Sequence, residues 1–249
     1  MLLRYVIAAS LAVAPAALVA QDQANGIEFR FGLGPKLAPG YFGDEDADPS
    51  VAFKFELERL RLGGRSLGGG DSYGLGFGGS VRFIGGRSAD DFEELAGLND
   101  IDPSLEIGGG LAFTAPDYEV FANVRYGVIG HESLVAEFGG DLVYRPSDQL
   151  TLKAGPLILL GDDTYAQTYF GLTVAEGDAS GLGAFDARGG IISAGAKAEA
   201  TYAINDDWEV VGTLRYEQFR DDAADSPLSA SDDQVSGSIV LTRRITFGF

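Results

Sequence analysis

Along most of the chain apolar and polar residues alternate with a period of two, the repeat of an extended strand whose two faces meet different surroundings. In 105–113, Leu105, Ile107, Gly109, Leu111 and Phe113 share one face, while Glu106, Gly108, Gly110 and Ala112 share the other. In 134–145, Leu134, Ala136, Phe138, Leu142 and Tyr144 alternate with Val135, Glu137, Asp141, Val143 and Arg145. Residues 196–202 and 208–217 repeat the pattern. Twelve strands are predicted, at 26–37, 51–58, 60–68, 73–86, 104–114, 117–129, 134–145, 150–160, 164–175, 190–203, 208–220 and 234–249. The break at 58–60 is the least marked, and since bacterial single-chain barrels have even strand numbers, ten is the alternative count.

A soluble sandwich also alternates. Here the segments reach about ten residues, the length a tilted strand needs to cross hydrocarbon. Charged residues and glycines fill the second face, as a polar lumen allows. Tyr41, Phe42, Tyr118, Tyr144, Tyr165, Tyr169, Trp208 and Tyr216 fall near strand ends, where aromatic girdles form. The fold expected is an all-β transmembrane antiparallel up-and-down barrel. After position 20 no window of about 18 apolar residues follows, so any crossing uses strands.

Residues 1–20 read as a signal peptide: Arg4, an apolar run from Tyr5 to Ala20, and then Gln21-Asp22-Gln23. Residues 21–249 are then the mature barrel, expected in the cell outer membrane. The last segment runs Ile239, Leu241, Ile245, Phe247, Phe249 and stops on its aromatic. Soluble domains usually fray at their ends. An ending of this kind resembles the signal that barrel-assembly machinery reads, with Phe247 and Phe249 as its aromatic residues.

If the C-terminus is periplasmic, counting back through twelve strands puts 221–233, 176–189 and 146–148 outside. The same count puts 205–207, 161–163, 130–133 and the long segment 87–103 inside. In that last segment Ser88 is a helix cap, Asp90, Asp91, Glu93 and Glu94 suit first turns, and Phe92, Leu95 and Leu98 form a helical stripe. A short periplasmic helix is predicted at 88–97. It either packs on the barrel rim or, through Arg87, Asp90, Asp91, Phe92, Leu95 and Leu98, meets a periplasmic partner.

The chain resembles the MipA/OmpV family of MltA-interacting outer-membrane proteins. The resemblance is carried by Gly34-Pro35, Gly40-Tyr41-Phe42-Gly43, Gly86-Arg87 with Asp90-Asp91, and Gly130-His131. Tyr169-Phe170-Gly171-Leu172, Ser180-Gly181-Leu182, Ser226-Pro227-Leu228 and the terminal Phe249 continue it. Asp44 and Ser133 depart from the family pattern, which has serine and glycine there. The resemblance implies a non-enzymatic scaffold that brings a lytic transglycosylase together with a penicillin-binding protein. The polar inward face leaves a narrow porin-like channel for small solutes as the alternative.

Composition narrows the chemistry. There is no cysteine, which excludes disulfides, thiolate metal sites and cysteine nucleophiles. The net charge is −19, so nucleic acid, whose binding rests on Lys and Arg, is not an expected partner. Outer-membrane lipid and lipopolysaccharide are. Asp44, Glu45, Asp46 and Asp48, and Asp221, Asp222 and Asp225, are oxygen-rich groups of the type that holds calcium or magnesium, but they lack EF-hand spacing and read first as solvated loops. His131-Glu132-Ser133 contains the residue types of a hydrolase, yet neighbours in one turn cannot easily form a serine relay. Lumen-facing Arg125, Glu137, Asp141, Lys153, Lys197, Glu199 and Arg215 are expected to pair with one another. No cofactor is expected.

Overall fold

The structure is a computed structural model that describes residues 25–63, 65–68 and 73–249. The segment 1–20, read above as a signal peptide, lies outside the described residues. Strands β1 (Gly26–Pro39), β2 (Ala47–Leu62), β3 (Arg65–Gly68) and β4 (Gly74–Ile84) open the chain. They are followed by β5 (Ser104–Thr114), β6 (Tyr118–Ile129), β7 (Leu134–Tyr144) and β8 (Leu150–Gly161). Helices α1 (Asp163–Phe170) and α2 (Val174–Ser180) come next. Then follow β9 (Gly190–Ala203), β10 (Trp208–Phe219), the one-turn α3 (Asp221–Ala224) and β11 (Asp233–Gly248).

The strands form one antiparallel sheet in the order β3-β2-β1-β11-β10-β9-β8-β7-β6-β5-β4. β1 pairs β11 from Gly26↔Gly248 to Leu37↔Gly237, so the two ends of the chain share a ladder and the sheet curls into a ring. Ten strands are long; β3 is a four-residue return against the end of β2. The ring closes where β4 lies beside β2, and among the described residues no hydrogen-bonded ladder joins that pair.

The alternation of the sequence sorts the two faces. Leu75, Phe77, Leu111, Val124, Leu142 and Ile239 stay exposed on the outside. The residues between them point inward. No helix among the described residues is long and apolar enough to cross a membrane. An apolar outer wall around a polar interior is what a strand ring needs to sit in hydrocarbon.

Twelve strands become ten for two reasons. The expected break at 58–60 is absent, because β2 runs unbroken through it and turns only after Leu62. Its irregularity lies in the pairing with β1, which shifts register between Glu28 and Phe29. The expected strand at 164–175 is instead α1 and the start of α2. Asp162 accepts from the Tyr165 amide at 2.9 Å and caps α1, and Thr173 with Glu176 forms a capping box on α2. The helix expected at 88–97 shrinks to a single 3-10 turn at Glu93–Leu95, with Gly97 at φ +90° ending it.

The loss of one predicted strand also moves the loops. Because β1 and β11 begin and end at the same rim, 115–117, 145–149 and 204–207 lie at the rim of the termini. The connections 40–46, 85–103, 130–133, 162–189 and 220–232 all lie at the opposite rim. Segments 87–103, 130–133 and 161–163, expected on the side of the C-terminus, are therefore at the far end, and 146–148 changes sides the other way.

Val124 sits mid-strand on the outer wall and is half exposed. Val124→Arg is expected to cost about 2–4 kcal/mol of folding free energy in a bilayer, the penalty for arginine near the midplane. Equilibrium unfolding from lipid vesicles measures it.

Candidate functional site

The far rim is capped. Tyr165, Ala166, Tyr169 and Phe170 of α1 pack with Val135, Leu159, Ile192, Phe219 and Ala223 in a buried apolar cluster. Phe42 from the first connection stacks on this cluster, 5.0 Å from Tyr169 and 5.7 Å from Phe170 between ring centroids. Tyr41 meets Phe92 edge-on at 5.2 Å. Tyr41, Phe42, Tyr165 and Tyr169 thus leave the expected membrane girdle for the interior of the cap. Tyr118, Tyr144 and Tyr216 remain exposed on the outer wall.

Directly beneath the cap lies Glu106, fully buried on the inward face of β5. Arg82 Nε and Arg125 Nε donate to its Oε2 at 2.8 and 2.9 Å. His131 Nε2 is 3.1 Å from Oε1. Ser133 fixes the tautomer of that ring. Its backbone N–H donates to Nδ1 at 3.2 Å and its hydroxyl lies 2.5 Å from the same atom, so Nδ1 accepts and Nε2 carries the proton that goes to the carboxylate. Tyr165 and Tyr169 pack edge-on to the ring at 5.2 and 5.8 Å. Gly127 leaves the room: a Cβ there would strike the imidazole. Gly130, at φ +86°, turns the chain so that the His131 amide meets Ser104 Oγ at 3.2 Å.

The relay that sequence could not assemble from His131, Glu132 and Ser133 therefore exists with a different acid. Glu106 of β5 takes the role, whereas Glu132, at φ 48°, points to solvent. The order serine–histidine–carboxylate is that of a hydrolase. Its surroundings are those of a clamp. Ser133 is 2% exposed, the ring is enclosed by Tyr165 and Tyr169, and two guanidinium groups already hold the acid. A substrate has no approach to the hydroxyl while the cap is in place.

Below this clamp the lumen is crossed by ion pairs. Lys54 of β2 reaches Glu199 of β9 at 2.9 Å, Lys197 meets Asp141 at 3.1 Å and Lys153 meets Glu119 at 3.4 Å. Arg215 bridges Glu137 and Glu217 at 3.1 and 2.8 Å. Nearer the termini Arg30 and Arg244 converge on Glu58 at 2.6 and 2.8 Å. Of the lumen charges singled out in the sequence, Arg125 and Arg215 share Glu137 and Lys197 meets Asp141 as expected, whereas Lys153 and Glu199 pair instead with Glu119 and Lys54, and Glu106 and Glu217 join as further partners. Lys54 and Glu106 stood at inward positions of the alternation, and only the curl of the sheet shows whom they face. A cavity of about 1590 Å3 is lined by residues of these ion pairs, by Tyr41, Phe42 and Tyr169 of the cap, and by residues of β2 and β4.

The candidate partner surface on 87–98 is largely turned inward. Arg87 is buried and donates to the Tyr169 carbonyl at 3.1 Å, Leu95 is 3% exposed, and Phe92 covers Tyr41. Asp90 and Asp91 stay exposed, Asp91 accepting from Ser88 Oγ at 2.9 Å, and Leu98 is half-buried. In the acidic group at 44–48, Asp44 is buried and accepts from the Gly40 and Asp46 amides at 3.1 and 3.0 Å, which closes a turn. Glu45, Asp46 and Asp48 are exposed, and among the described residues no group of three metal-binding side chains forms. Phe247 and Phe249 are exposed at the rim of the termini, with Phe247 stacked on Phe29 at 6.1 Å.

A model of the family described as MltA-interacting protein MipA matches residues 31–245, which include all of β2 to β10 and most of β1 and β11. The chain belongs to the MipA family. No curated protein matches this MipA-family chain. Among solved structures it is similar to Salmonella typhi OmpF in complex with daunomycin, at 12% identity and TM-score 0.33, covering 86% of this chain and 56% of that one. It spans little more than half the length of that protein. It is also similar to the CymD monoaromatic hydrocarbon channel, at 12% identity and TM-score 0.37, over 89% of this chain and 88% of that one. The translocator domain of the autotransporter NalP from Neisseria meningitidis matches at 11% identity and TM-score 0.35, over 92% and 91% of the two chains.

Two outcomes follow from the clamp and the cap. Glu106→Ala strands Arg82, Arg125 and His131 and is expected to lower stability by about 3–5 kcal/mol, whereas Ser133→Ala costs about 1 kcal/mol; unfolding titrations distinguish the two. In the cap, partial burial works to raise the Glu176 carboxyl, but hydrogen bonds from Thr173 and Asn99 outweigh it and hold it below its ordinary value. A depressed carboxyl stabilises above its ordinary value of 4.5 and loses that contribution as pH falls through the folded value. The protection factors of the Thr173 and Asn99 amides, measured against their intrinsic exchange rates, should therefore fall as pH drops below 4.5 in the native protein and lose that acid step in Glu176→Gln.

Proposed function

We propose that this MipA-family chain is an outer-membrane barrel that serves, without catalysis, as a docking scaffold for a murein-cutting enzyme. The family match over nearly the whole ring carries the reading, since the family is described by its interaction with MltA. Murein-cutting lytic transglycosylases and the penicillin-binding proteins that work with them are the partner classes it implies. The apolar outer wall supports residence in a bilayer. The enclosed Ser133 supports a non-enzymatic role.

The loop lengths support one orientation of the ring. Outer-membrane barrels carry short turns on the periplasmic side and long loops outside. The connections 115–117, 145–149 and 204–207 are short and share the rim of the termini, so that rim faces the periplasm. The cap with 87–98 then faces outward with the acidic groups at 44–48 and 221–225, toward lipopolysaccharide. A murein-bound partner reaches the periplasmic rim, where Arg145, Asp148, Asp206 and Asp207 are exposed. Residues 88–98 are on the wrong side for that contact.

A narrow channel is the second reading, favoured by the cavity of about 1590 Å3. The cross-lumen pairs and the cap stand in its way.

Binding of the purified full chain to a lytic transglycosylase of the MltA type tests the scaffold. Charge reversal at Arg145, Asp206 and Asp207 is expected to weaken binding about tenfold, as loss of roughly 1.4 kcal/mol would. Phe92→Ser with Leu98→Ser should leave it unchanged. Loss of binding only in the second variant would reverse the orientation, and no binding by the native chain would remove the scaffold.

A further inference from the structure

Among the described residues, the strand ring breaks at the seam between β2 and β4. From Ala47 to Glu58 the outer edge of β2 has no ladder partner among the described residues, and the same holds for β4 over its whole length. Unpaired strand edges in hydrocarbon cost several kcal/mol per orphaned group, which is why membrane barrels close. The two edges nonetheless run side by side. The Phe53 and Phe83 rings lie 5.8 Å apart across the seam, and Phe55 lies 3.7 Å from where a Cβ on Gly79 would be. Apolar side chains, not backbone bonds, hold this seam shut.

Behind the seam the wall is thin. The inward positions of β4 next to it are Gly76, Gly78 and Ser80, and those of β5 are Gly108, Gly110 and Ala112. The cavity of about 1590 Å3 is lined by lumen-facing Lys36, Lys54 and Ser80 and also by Phe53, Val81 and Phe83. The last three are exposed on the outer face. A cavity lined from both faces of two adjacent strands reaches the seam between them. Its size exceeds the roughly 300–1,000 Å3 of ordinary small-ligand pockets, leaving room for a flexible chain.

The charge at its polar end names the ligand class. The chain has four lysines. Lys54, Lys153 and Lys197 are each paired with a carboxylate. Lys36 has no carboxylate within 4.0 Å among the described residues, and its charged surroundings are Arg215 and Arg82 against Glu217. Those arginines are already held by Glu106, Glu137 and Glu217, so Lys36 is the lysine left without a carboxylate partner among the described residues, and an incoming anion would supply one.

We infer that the seam between β2 and β4 is a lateral entrance from the lipid phase, and that its occupant is a long-chain carboxylate whose tail parts the Phe53–Phe83 contact and takes its place and whose head pairs with Lys36. Such an amphiphile covers the apolar edges while it replaces solvent at the lysine. This site lies on the wall of the barrel, apart from the partner rim proposed above.

The absence of native cysteine makes the test direct. Phe53→Cys with Phe83→Cys is prepared in the full chain, reconstituted in nanodiscs, and bridged with a short thiol-reactive linker cleavable by reductant. Uptake of cis-parinaric acid is followed by its fluorescence, beside the alcohol of the same chain length. Heat-modified gel mobility confirms that every variant is folded. The linked protein is expected to take up the acid at least about tenfold more slowly, with recovery after reduction. Lys36→Met should weaken the acid about tenfold, near 1.4 kcal/mol, and leave the alcohol unchanged. Uptake at the same rate by the linked protein, equal affinity in Lys36→Met, or uptake no greater than by empty nanodiscs would each overturn the inference.

Discussion

Every feature of this molecule depends on one constraint: a strand wall surrounded by hydrocarbon has no water to satisfy its backbone, so amide groups must find partners along the wall. The sequence meets it with nine ladders that run from β2 through β1 and β11 round to β4. The pairing of the first long strand with the last is what makes the sheet a ring, and Gly26↔Gly248 sets the rim from which all loops are counted. Once the ring is formed, alternate residues have nowhere to go but lipid or lumen. The outer set is apolar, and the inner set carries the charges.

A lumen of this size holds too many charges to leave them unpaired. Burying a lone carboxylate or ammonium costs far more than a hydrogen bond returns. The answer is a set of pairs that reach across the bore, Lys54 to Glu199 and Arg215 to Glu137, so the same side chains that make the interior polar also fill it. Glu106 is the extreme case. It holds two arginines of neighbouring strands and the histidine of a far-rim turn, and through His131 and the tyrosines it ties the wall to the cap. Residue types associated with catalysis are here the means by which a loop is locked to a strand.

Much of the wall was legible from the period of two alone, because one face per strand is forced to be apolar. The inward residues were legible as lumen residues for the same reason. What alternation cannot report is a helix that interrupts it. In 162–176 the β-favouring Thr164, Tyr165, Thr168, Tyr169 and Phe170 imitated a strand, while the true markers were the Asp162 cap and the Thr173-x-x-Glu176 box. Reading that piece as a strand inverted the loops from 87–103 to 161–163, while the extra break at 58–60 restored the side of 40–46. The partner of Glu106 was equally hidden, since His131 and Glu106 are 25 positions apart and meet only because β5 and β6 are neighbours. Of the tyrosines taken for a membrane girdle, Tyr165 and Tyr169 went to the cap because the helix that carries them folds over the ring, and Tyr41 packs there too, while Tyr118, Tyr144 and Tyr216 stayed outside. Strand-end position does not distinguish these two fates.

The most direct measurement of the filled bore is planar-bilayer conductance of the full chain at neutral pH. A lumen crossed by ion pairs and capped at one rim predicts no resolved steps for the native protein, and steps in a variant that combines Lys54→Ala and Glu199→Ala with removal of the α1–α2 cap. Stable, uniform steps from the native chain would mean that the interior is an open water path, and the account of a closed, charge-filled ring would be contradicted.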